Sequence, residues 1–553
     1  MTTAEPARRN ASRKKKFVLL ALFLLLTLGG HKAYQYAAPP AAEKDCSFVY
    51  PLRPDQLRHT NVSATPPAGL VFAQRGGTIN DASCLNRTSI YGVVAVETED
   101  DIRAALRFAR ENGLRVTPAG RRHSMGGQSF VQDGLVLDMR GFNKVWLDRE
   151  RKVVRAQSGA TWAEVQQLLD REGLAMIAVQ SINIFTVGGT LSVNAHGIAH
   201  DPGQIAPTAR SMRVMTSDGE IHTASPSENA ELFRHVLGGY GLFGVILDAD
   251  LSVTENEMYV WKTDTIDYRQ FPDYFAKNIA GDANVGLLYG RLSISPGSFL
   301  TETLVHRYER VPFDAPLPPV RPPEPAWPTR LAINLSKTGN LGRRVRWWLE
   351  KRIEPKLHVC SVRKEMEGEE RCLVTRNQEM YDSMEYLRNR LPDTDILQEY
   401  FVPHHRMPEF IDGLRDTVQR DGANLVNVTI RIITRDTVTA LPYAREDMFA
   451  FVIYFNQGFN EHESAILQKT TTDLIDLATR LGGTFYLPYQ LYYSPEQLWR
   501  AYPDMDAFFA TKRRLDPTET FTNTFYEKYG RAALQGTLPP SGASTPQTAP
   551  AKQ

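Results

Sequence analysis

The chain is 553 residues long, 42% hydrophobic and 23% charged, which is enough for more than one domain around a well-buried core. Its formal net charge of +1 supplies no basic field for a nucleic-acid backbone. Polyanion recognition is therefore excluded as the organising function, and small-molecule chemistry is the default.

The N-terminus departs from this ordinary composition. Arg8, Arg9, Arg13, Lys14, Lys15 and Lys16 precede an uncharged apolar run from Phe17 to Gly30. The run is short for a span of ~20 residues, so a cleaved signal core is one reading and an uncleaved single-pass anchor, completed by residues 33–38, is the favoured one. In both, the basic flank stays in the cytoplasm and the body is exported to the periplasmic or extracellular side. The four cysteines suit that compartment. Of three possible pairing schemes, Cys46 with Cys84 and Cys360 with Cys372 closes the shortest loops. The chain has no CxxC, and no His-x-x-x-His flanks the cysteines, which argues against zinc.

After a proline-bearing linker the folded body begins near Val71. Residues 90–97 are apolar and strand-like. Asp101 to Asn112 carries Ile102, Ala105, Leu106 and Ala109 on one helical face, and a strand-like segment follows from Leu114 to Thr117. Next comes Pro118-Ala-Gly-Arg-Arg-His-Ser-Met-Gly-Gly-Gln-Ser129, a loop whose Gly120, Gly126 and Gly127 permit positive φ and backbone N–H approach to an anion. Leu135 to Met139, Val145 to Leu147 and Val153 to Ala156 read as short strands. Thr161 to Gly173 reads as a helix capped by Thr161, with Glu164 at capping-box spacing.

Two further glycine stretches follow. Thr186-Val-Gly-Gly-Thr-Leu-Ser-Val-Asn-Ala-His-Gly197 sets glycine pairs among hydroxyl residues, with Asn194 and His196 as polar groups in an apolar segment. Residues 212–222 read as a hairpin. Gly238-Gly-Tyr-Gly-Leu-Phe-Gly-Val-Ile246 then repeats the device ahead of an apolar strand. Each cluster alone is weak; three in order, each attached to a strand, are much stronger.

In this order the motifs resemble the FAD domain of the vanillyl-alcohol oxidase (PCMH-type) flavoprotein family. The tail stretch Leu515-Asp-Pro-Thr-Glu-Thr-Phe-Thr-Asn523 resembles the segment that returns the chain to that domain. The resemblance implies an α+β fold: a two-lobed FAD-binding domain interrupted by an α+β substrate or cap domain, behind an N-terminal transmembrane or signal segment. The implied organisation is a basic N-terminus (1–16), the anchor or signal (17–38), a linker (39–70), the FAD-binding domain (71–255), the cap (256–500), the return to the FAD domain (501–533) and a disordered tail (534–553). Cofactor contacts are implied for Pro118, Gly120, Arg121, Arg122, His123, Ser124, Gly188, Gly189, Thr190, Ser192, Asn194, His196, Gly197, Gly244, Val245, Ile246 and Asn523. His123 matches the histidine to which the flavin is often covalently attached in the family.

Within the cap, Leu397-Gln-Glu-Tyr-Phe-Val-Pro403 resembles the Glu-Tyr strand of the aldonolactone and alditol oxidase subgroup, and Ile430-Arg431 its arginine strand. By that resemblance Arg431 steadies developing negative charge beside the flavin. Two departures put the substrate in doubt: Thr429 stands where the subgroup has a glutamate, and Leu487-Pro-Tyr-Gln-Leu491 stands where it has a His-Trp-x-Lys segment. Glu399, Tyr489, His404 and His405 are candidate substrate bases, although a His-His pair after proline is more often a turn.

The expected activity is oxidation of a CH–OH group of a sugar, alditol or aldonolactone, as in D-arabinono-1,4-lactone oxidase, with oxygen or another acceptor taking the electrons. One alternative is a lipid-linked sugar oxidase resembling decaprenylphosphoryl-ribose 2-oxidase. A flavin-binding protein without turnover is the other. Residues 341–356, with Trp347, Trp348 and four arginines, read as an amphipathic surface helix, either a solvated face or a contact with lipid headgroups.

Overall fold

The computed structural model describes residues 30–38, 69–178, 180, 182–321, 327–354, 360–366, 368–381 and 390–531. The basic N-terminus, most of the apolar run, Cys46, most of the linker and the tail expected to be disordered lie outside them. Among the described residues no helix is long and apolar enough to cross a membrane. Residues 30–37, the end of the expected anchor, are helical (α1).

The first sheet is built from β1 (Phe72–Arg75), β4 (Gly92–Ala95), β5 (Val116–Ala119) and β6 (Leu135–Asp138), with a small ribbon of β2 (Thr78–Ile79) and β3 (Thr88–Ser89) beside it. Strand order is β1-β4-β6-β5, and the last three run parallel. Parallel neighbours need a crossover, and α2 (Glu99–Glu111) supplies the one between β4 and β5. Its start is local chemistry: Thr98 caps the Asp101 amide and the Asp101 carboxylate returns to the Thr98 amide at 2.8 Å. Ile102, Ala105, Leu106 and Ala109 are all buried, as their spacing predicts.

An antiparallel second sheet follows, formed by β7 (Val145–Asp148), β8 (Val153–Gln157), β9 (Leu174–Met176), β10 (Ala209–Met215), β11 (Ile221–Ala224) and β12 (Val245–Glu255). Between these strands lie α3 (Trp162–Arg171), α4 (Val187–Ser192) and α5 (Ala230–Val236). Thr161 and Glu164 close the expected capping box of α3. β10 and β11 form the expected hairpin.

The third sheet has nine antiparallel strands: β13 (Met258–Asp267), β14 (Val285–Leu292), β15 (Glu302–Arg310), β16 (Val362–Met366), β17 (Glu369–Thr375), β18 (Asp393–Pro403), β19 (Asn424–Ile433), β20 (Met448–Gly458) and β21 (Thr484–Phe485). In space they run β16-β17-β13-β15-β14-β19-β20-β18-β21. Helices α6 (Phe271–Asn278), α7 (Trp327–Lys337), α8 (Asn340–Arg352), α9 (Arg376–Glu379), α10 (Met407–Asp421) and α11 (Glu461–Arg480) connect them. Residues 311–321, rich in proline, carry no regular element, and Val311, Phe313 and Leu317 among them pack on Met258, Val260 and Leu373. His404 to Arg406 is a single 3-10 turn.

Past β21, α12 (Pro495–Ala501) and α13 (Met505–Leu515) lead the chain back to the first sheet. There the Val116 amide donates to the Thr520 carbonyl at 2.7 Å and the Thr522 amide donates to the Val116 carbonyl at 3.0 Å. Lys512 and Asp516 form a fully buried ion pair at this junction, and Asp516 also accepts from the Thr520 and Phe521 amides. Cys360 and Cys372 are joined by a disulfide. Cys84 is disulfide-bonded as well, and its expected partner, Cys46, is outside the described residues.

Candidate active site

The loop after β5 is held from both sides. Its Gly127 amide donates to Asp81 at 2.9 Å, the Asn86 amide group donates to the Met125 carbonyl at 2.8 Å, and the Met125 amide donates to the Pro488 carbonyl at 2.7 Å. Burial raises the pKa of Asp81, against its hydrogen bonds from Ser83, Asn86 and Gly127. Gly126 lies against the Tyr489 carbonyl so closely that a Cβ there would be 2.3 Å from the oxygen, and a Cβ on Gly120 would be 2.0 Å from Thr186 Oγ1. Here glycine is required by close approach, not by flexibility.

The second glycine stretch is helical at its start. In α4, Gly188 fits against Ser158, where a Cβ would come within 2.6 Å of the serine Cβ. Thr190 Oγ1 accepts from Trp162 Nε1 at 2.8 Å and Gln180 Nε2 at 2.7 Å, and donates to the Thr186 carbonyl at 3.0 Å. The third stretch uses positive φ at Gly241 (74°) and Gly244 (145°) to swing the backbone into β12.

These three stretches open onto one cavity. Of the residues singled out in the sequence, Pro118, Gly120, Arg121, Arg122, His123, Ser124, Gly188, Gly189, Thr190, Ser192, His196, Gly244, Val245 and Ile246 line it, together with Glu399, Arg431 and Tyr489. Asn194, Gly197 and Asn523 do not. Asn194, at φ 47°, donates to Asp436 at 3.0 Å and accepts from the Ala206 amide, and Asn523 donates to the Tyr240 carbonyl at 2.8 Å, so both tie backbone together behind the wall. His404 and His405 are likewise absent from the lining, and the His404 ring stacks on Phe449 at 3.9 Å. Sequence reasoning missed Phe185, Tyr240, Leu397, Val452, Tyr454 and Tyr486 as wall residues. Phe185 directly precedes the second glycine stretch and could have been found; Val452 and Tyr454 sit on β20, which no motif marks.

Register explains how the large sheet faces the cavity. Across β18, β20 and β19, Glu399 pairs with Val452 and Val452 with Thr429, while Leu397 pairs with Tyr454 and Arg431 with Ala450. Paired residues share a face and alternate along each strand, so Leu397, Glu399, Val452, Tyr454, Thr429 and Arg431 belong to one face. Thr429 and Glu399 therefore lie in one row, two strand spacings or roughly 10 Å apart. The carboxylate that Thr429 lacks is supplied to the same face by β18.

Glu399 is 2% exposed. His196 Nε2 stands 2.6 Å from its Oε1, and the Tyr489 hydroxyl donates to its Oε2 at 3.1 Å. Burial holds the Tyr489 phenol well above its ordinary pKa, and the Glu399 charge adds to the effect. The His196 ring is surrounded by Phe401, Tyr443 and Tyr486 at centroid distances of 5.6, 6.0 and 5.8 Å. The Arg431 guanidinium donates to the His196 carbonyl at 3.2 Å. A cation, a carboxylate and two proton-carrying rings thus meet at one end of the cavity.

Residues 90–225 match the family model described as FAD binding domain. The chain carries an FAD-binding domain. Among its relatives, an uncharacterized oxidoreductase, ORF5 in the fasciation locus of Rhodococcoides fascians, is 35% identical over 164 residues, 29% of this chain and 37% of the relative. Decaprenylphosphoryl-beta-D-ribose oxidase of Mycolicibacterium smegmatis is 30% identical over 159 residues, 28% of this chain and 35% of the relative. L-gulonolactone oxidase of Bos taurus is 30% identical over 153 residues, 28% of this chain and 34% of the relative. Each match spans little more than a third of the relative's length.

The cavity suits FAD. Glycine backbone lines it in three places, Arg121 and Arg122 bring positive charge to the wall beside Ser124, and Phe185, Tyr240 and Tyr486 provide flat apolar surface.

Proposed function

We propose that the protein is an FAD-dependent oxidoreductase that oxidises a CH–OH group of a carbohydrate-like substrate, a sugar, alditol or aldonolactone. The observation that carries this reading is the meeting of Glu399, His196, Tyr489 and Arg431 in the cavity walled by the FAD-binding glycine stretches. When bound, FAD supplies an acceptor for the hydride that leaves the substrate carbon. Glu399 takes the hydroxyl proton. Each carboxylate oxygen has two lone pairs, so Oε2, which accepts from Tyr489, and Oε1 beside His196 both keep acceptor capacity for the substrate. His196 and Tyr489 fix the carboxylate's orientation, and Arg431 stabilises negative charge as the C–H bond breaks. His123, on the cavity wall with its ring 4.5 Å from Phe185, is the residue through which the flavin is covalently attached.

A lipid-linked sugar is the second substrate reading. It is favoured by the apolar cluster of Ile333 on α7, Val426 and Tyr454, against which Leu397 packs; Tyr454 and Leu397 line the cavity. In either reading the N-terminal segment holds the body to the membrane on its exported side.

The test uses the full-length protein. Acid precipitation should leave the flavin bands with the pellet, and His123→Ala should release them. Anaerobic mixing with a panel of alditols, aldonolactones and a polyprenyl-phosphate sugar should bleach the flavin band with one class. If dithionite bleaches the band and no member of the panel does, the carbohydrate reading fails.

A further inference from the structure

The surface formed by α7 and α8 of the cap, with α1 beside them, carries an unusual concentration of exposed apolar side chains. Tyr34 on α1, Trp327 and Leu335 on α7, and Leu341, Val345 and Trp348 on α8 are all exposed. The other large apolar residues exposed among those described, Val71, Trp146 and Phe459, are scattered over separate elements. The three helices that carry them are joined by direct contacts. Arg330 and Asn334 of α7 donate to the Ala37 and Tyr36 carbonyls at 2.9 and 2.8 Å, docking α1 on the hairpin. Gly342 lets α8 cross α7 so closely that a Cβ there would be 2.0 Å from the Leu335 carbonyl.

The inner side of this hairpin is fully used. Lys337 pairs with Asp395 at 2.7 Å, Arg346 donates to the Val426 carbonyl at 2.8 Å, and Trp347 donates to Glu302 at 2.7 Å. Those contacts turn Leu341, Val345 and Trp348, at i, i+4 and i+7, outward. Arg344 and Arg352 flank them, exposed and in no ion pair among the described residues. An amphipathic face of aromatic and aliphatic residues edged by arginine matches the boundary between acyl chains and anionic headgroups. The chain preceding Gly30, which enters the docked helix α1, is itself the apolar run that begins at Phe17 behind six basic residues.

We infer that the α7–α8 hairpin, with α1 docked on it, is a seat for an anionic bilayer, independent of the N-terminal run as such. Ile333 of α7 shares one buried apolar cluster with Val426 and with Tyr454 of the cavity wall, so the bilayer would lie beside the substrate end of the site. The occupant is lipid rather than a second copy because the face is bordered by unpaired arginines, which would repel their own counterparts across a symmetric interface.

Tryptophan fluorescence gives a direct test, since no tryptophan precedes Trp146 and the N-terminal run contributes no signal. The full-length protein is reconstituted into vesicles of phosphatidylcholine and phosphatidylglycerol with brominated acyl chains, which quench tryptophans at acyl depth. Wild type should be quenched. The double variant Trp327→Phe/Trp348→Phe should lose most of that quenching with its melting temperature unchanged, and Trp146→Phe should not. Arg344→Glu/Arg352→Glu should weaken quenching in the anionic vesicles. Unquenched wild type, or quenching that survives the double substitution, would overturn the proposal. So would unquenched wild type that crosslinks to itself through this face, which would make the surface a self-association interface.

Discussion

Glu399 offers the sharpest separation of chemistry from stability. Replacing it by glutamine preserves shape in a site that is 2% exposed. His196 Nε2 stays beside the amide oxygen, and the amide nitrogen can donate to the Tyr489 hydroxyl, which turns to accept. What is lost is charge assistance, so the stability cost should be about 0.5–1.5 kcal/mol. Alanine leaves the Tyr489 hydroxyl buried without its acceptor and opens a void beside His196 Nε2. At about 1–3 kcal/mol for the orphaned hydroxyl, plus the cavity, that variant should lose about 2–5 kcal/mol. Catalysis should respond differently. Both variants lack the proton acceptor, and the rate of flavin reduction should fall about 10²–10⁴-fold in each. Thermal unfolding read alongside anaerobic, substrate-driven bleaching of the flavin band measures the two effects on one sample. A Glu399→Gln protein that reduces its flavin at the wild-type rate would refute the assignment of Glu399 as base, whatever its melting temperature.

Gly126→Ala should act through the same residue from behind. Its Cβ would sit 2.3 Å from the Tyr489 carbonyl, about 1 Å inside ordinary contact, so the segment bearing Tyr489 must retreat. Overpacking of this kind costs about 1–3 kcal/mol, and misplacement by ~1 Å costs up to about 10²-fold in rate; a variant that melts and turns over like wild type would contradict the tight approach. His404 should impose a pH dependence on stability. Burial against Phe449 and Phe275 lowers its pKa below 6.5, outweighing the opposing pull of Asp447 and the Met448 backbone. The unfolded chain therefore binds the proton first on acidification, and the stabilisation present above pH ~6.5 is lost as pH falls through the lower folded value. Denaturation midpoints should decline between about pH 7 and pH 5, and His404→Phe should flatten that decline; an unchanged slope would show that the ring is already solvated.

Much of the FAD-binding half was legible in the amino-acid order because its determinants are local. Thr98 with Asp101 and Thr161 with Glu164 cap helices across three residues, and both boxes form. The glycine stretches are likewise short, and each reaches the cavity that the loop motif implies. Hydroxyls and amides inside such a stretch were harder to assign. Asn194 reads as a ligand contact, yet its side chain is consumed by Asp436 and the Ala206 amide, partners that only the folded chain brings within reach.

The reacting end of the cavity was decided by tertiary structure. Glu399 and Arg431 were recognisable on their own strands, but nothing local told that β20 lies between those strands. That insertion sets the row Thr429, Val452, Glu399 and places a carboxylate in the row where Thr429 carries no charge. The approach of His196 to Glu399 depends on packing the second glycine stretch against the large sheet. Capping and glycine turns are written within a few residues because their hydrogen bonds close there. Strand register and side-chain meetings across sheets are written in the complementarity of distant surfaces, which the linear order does not display.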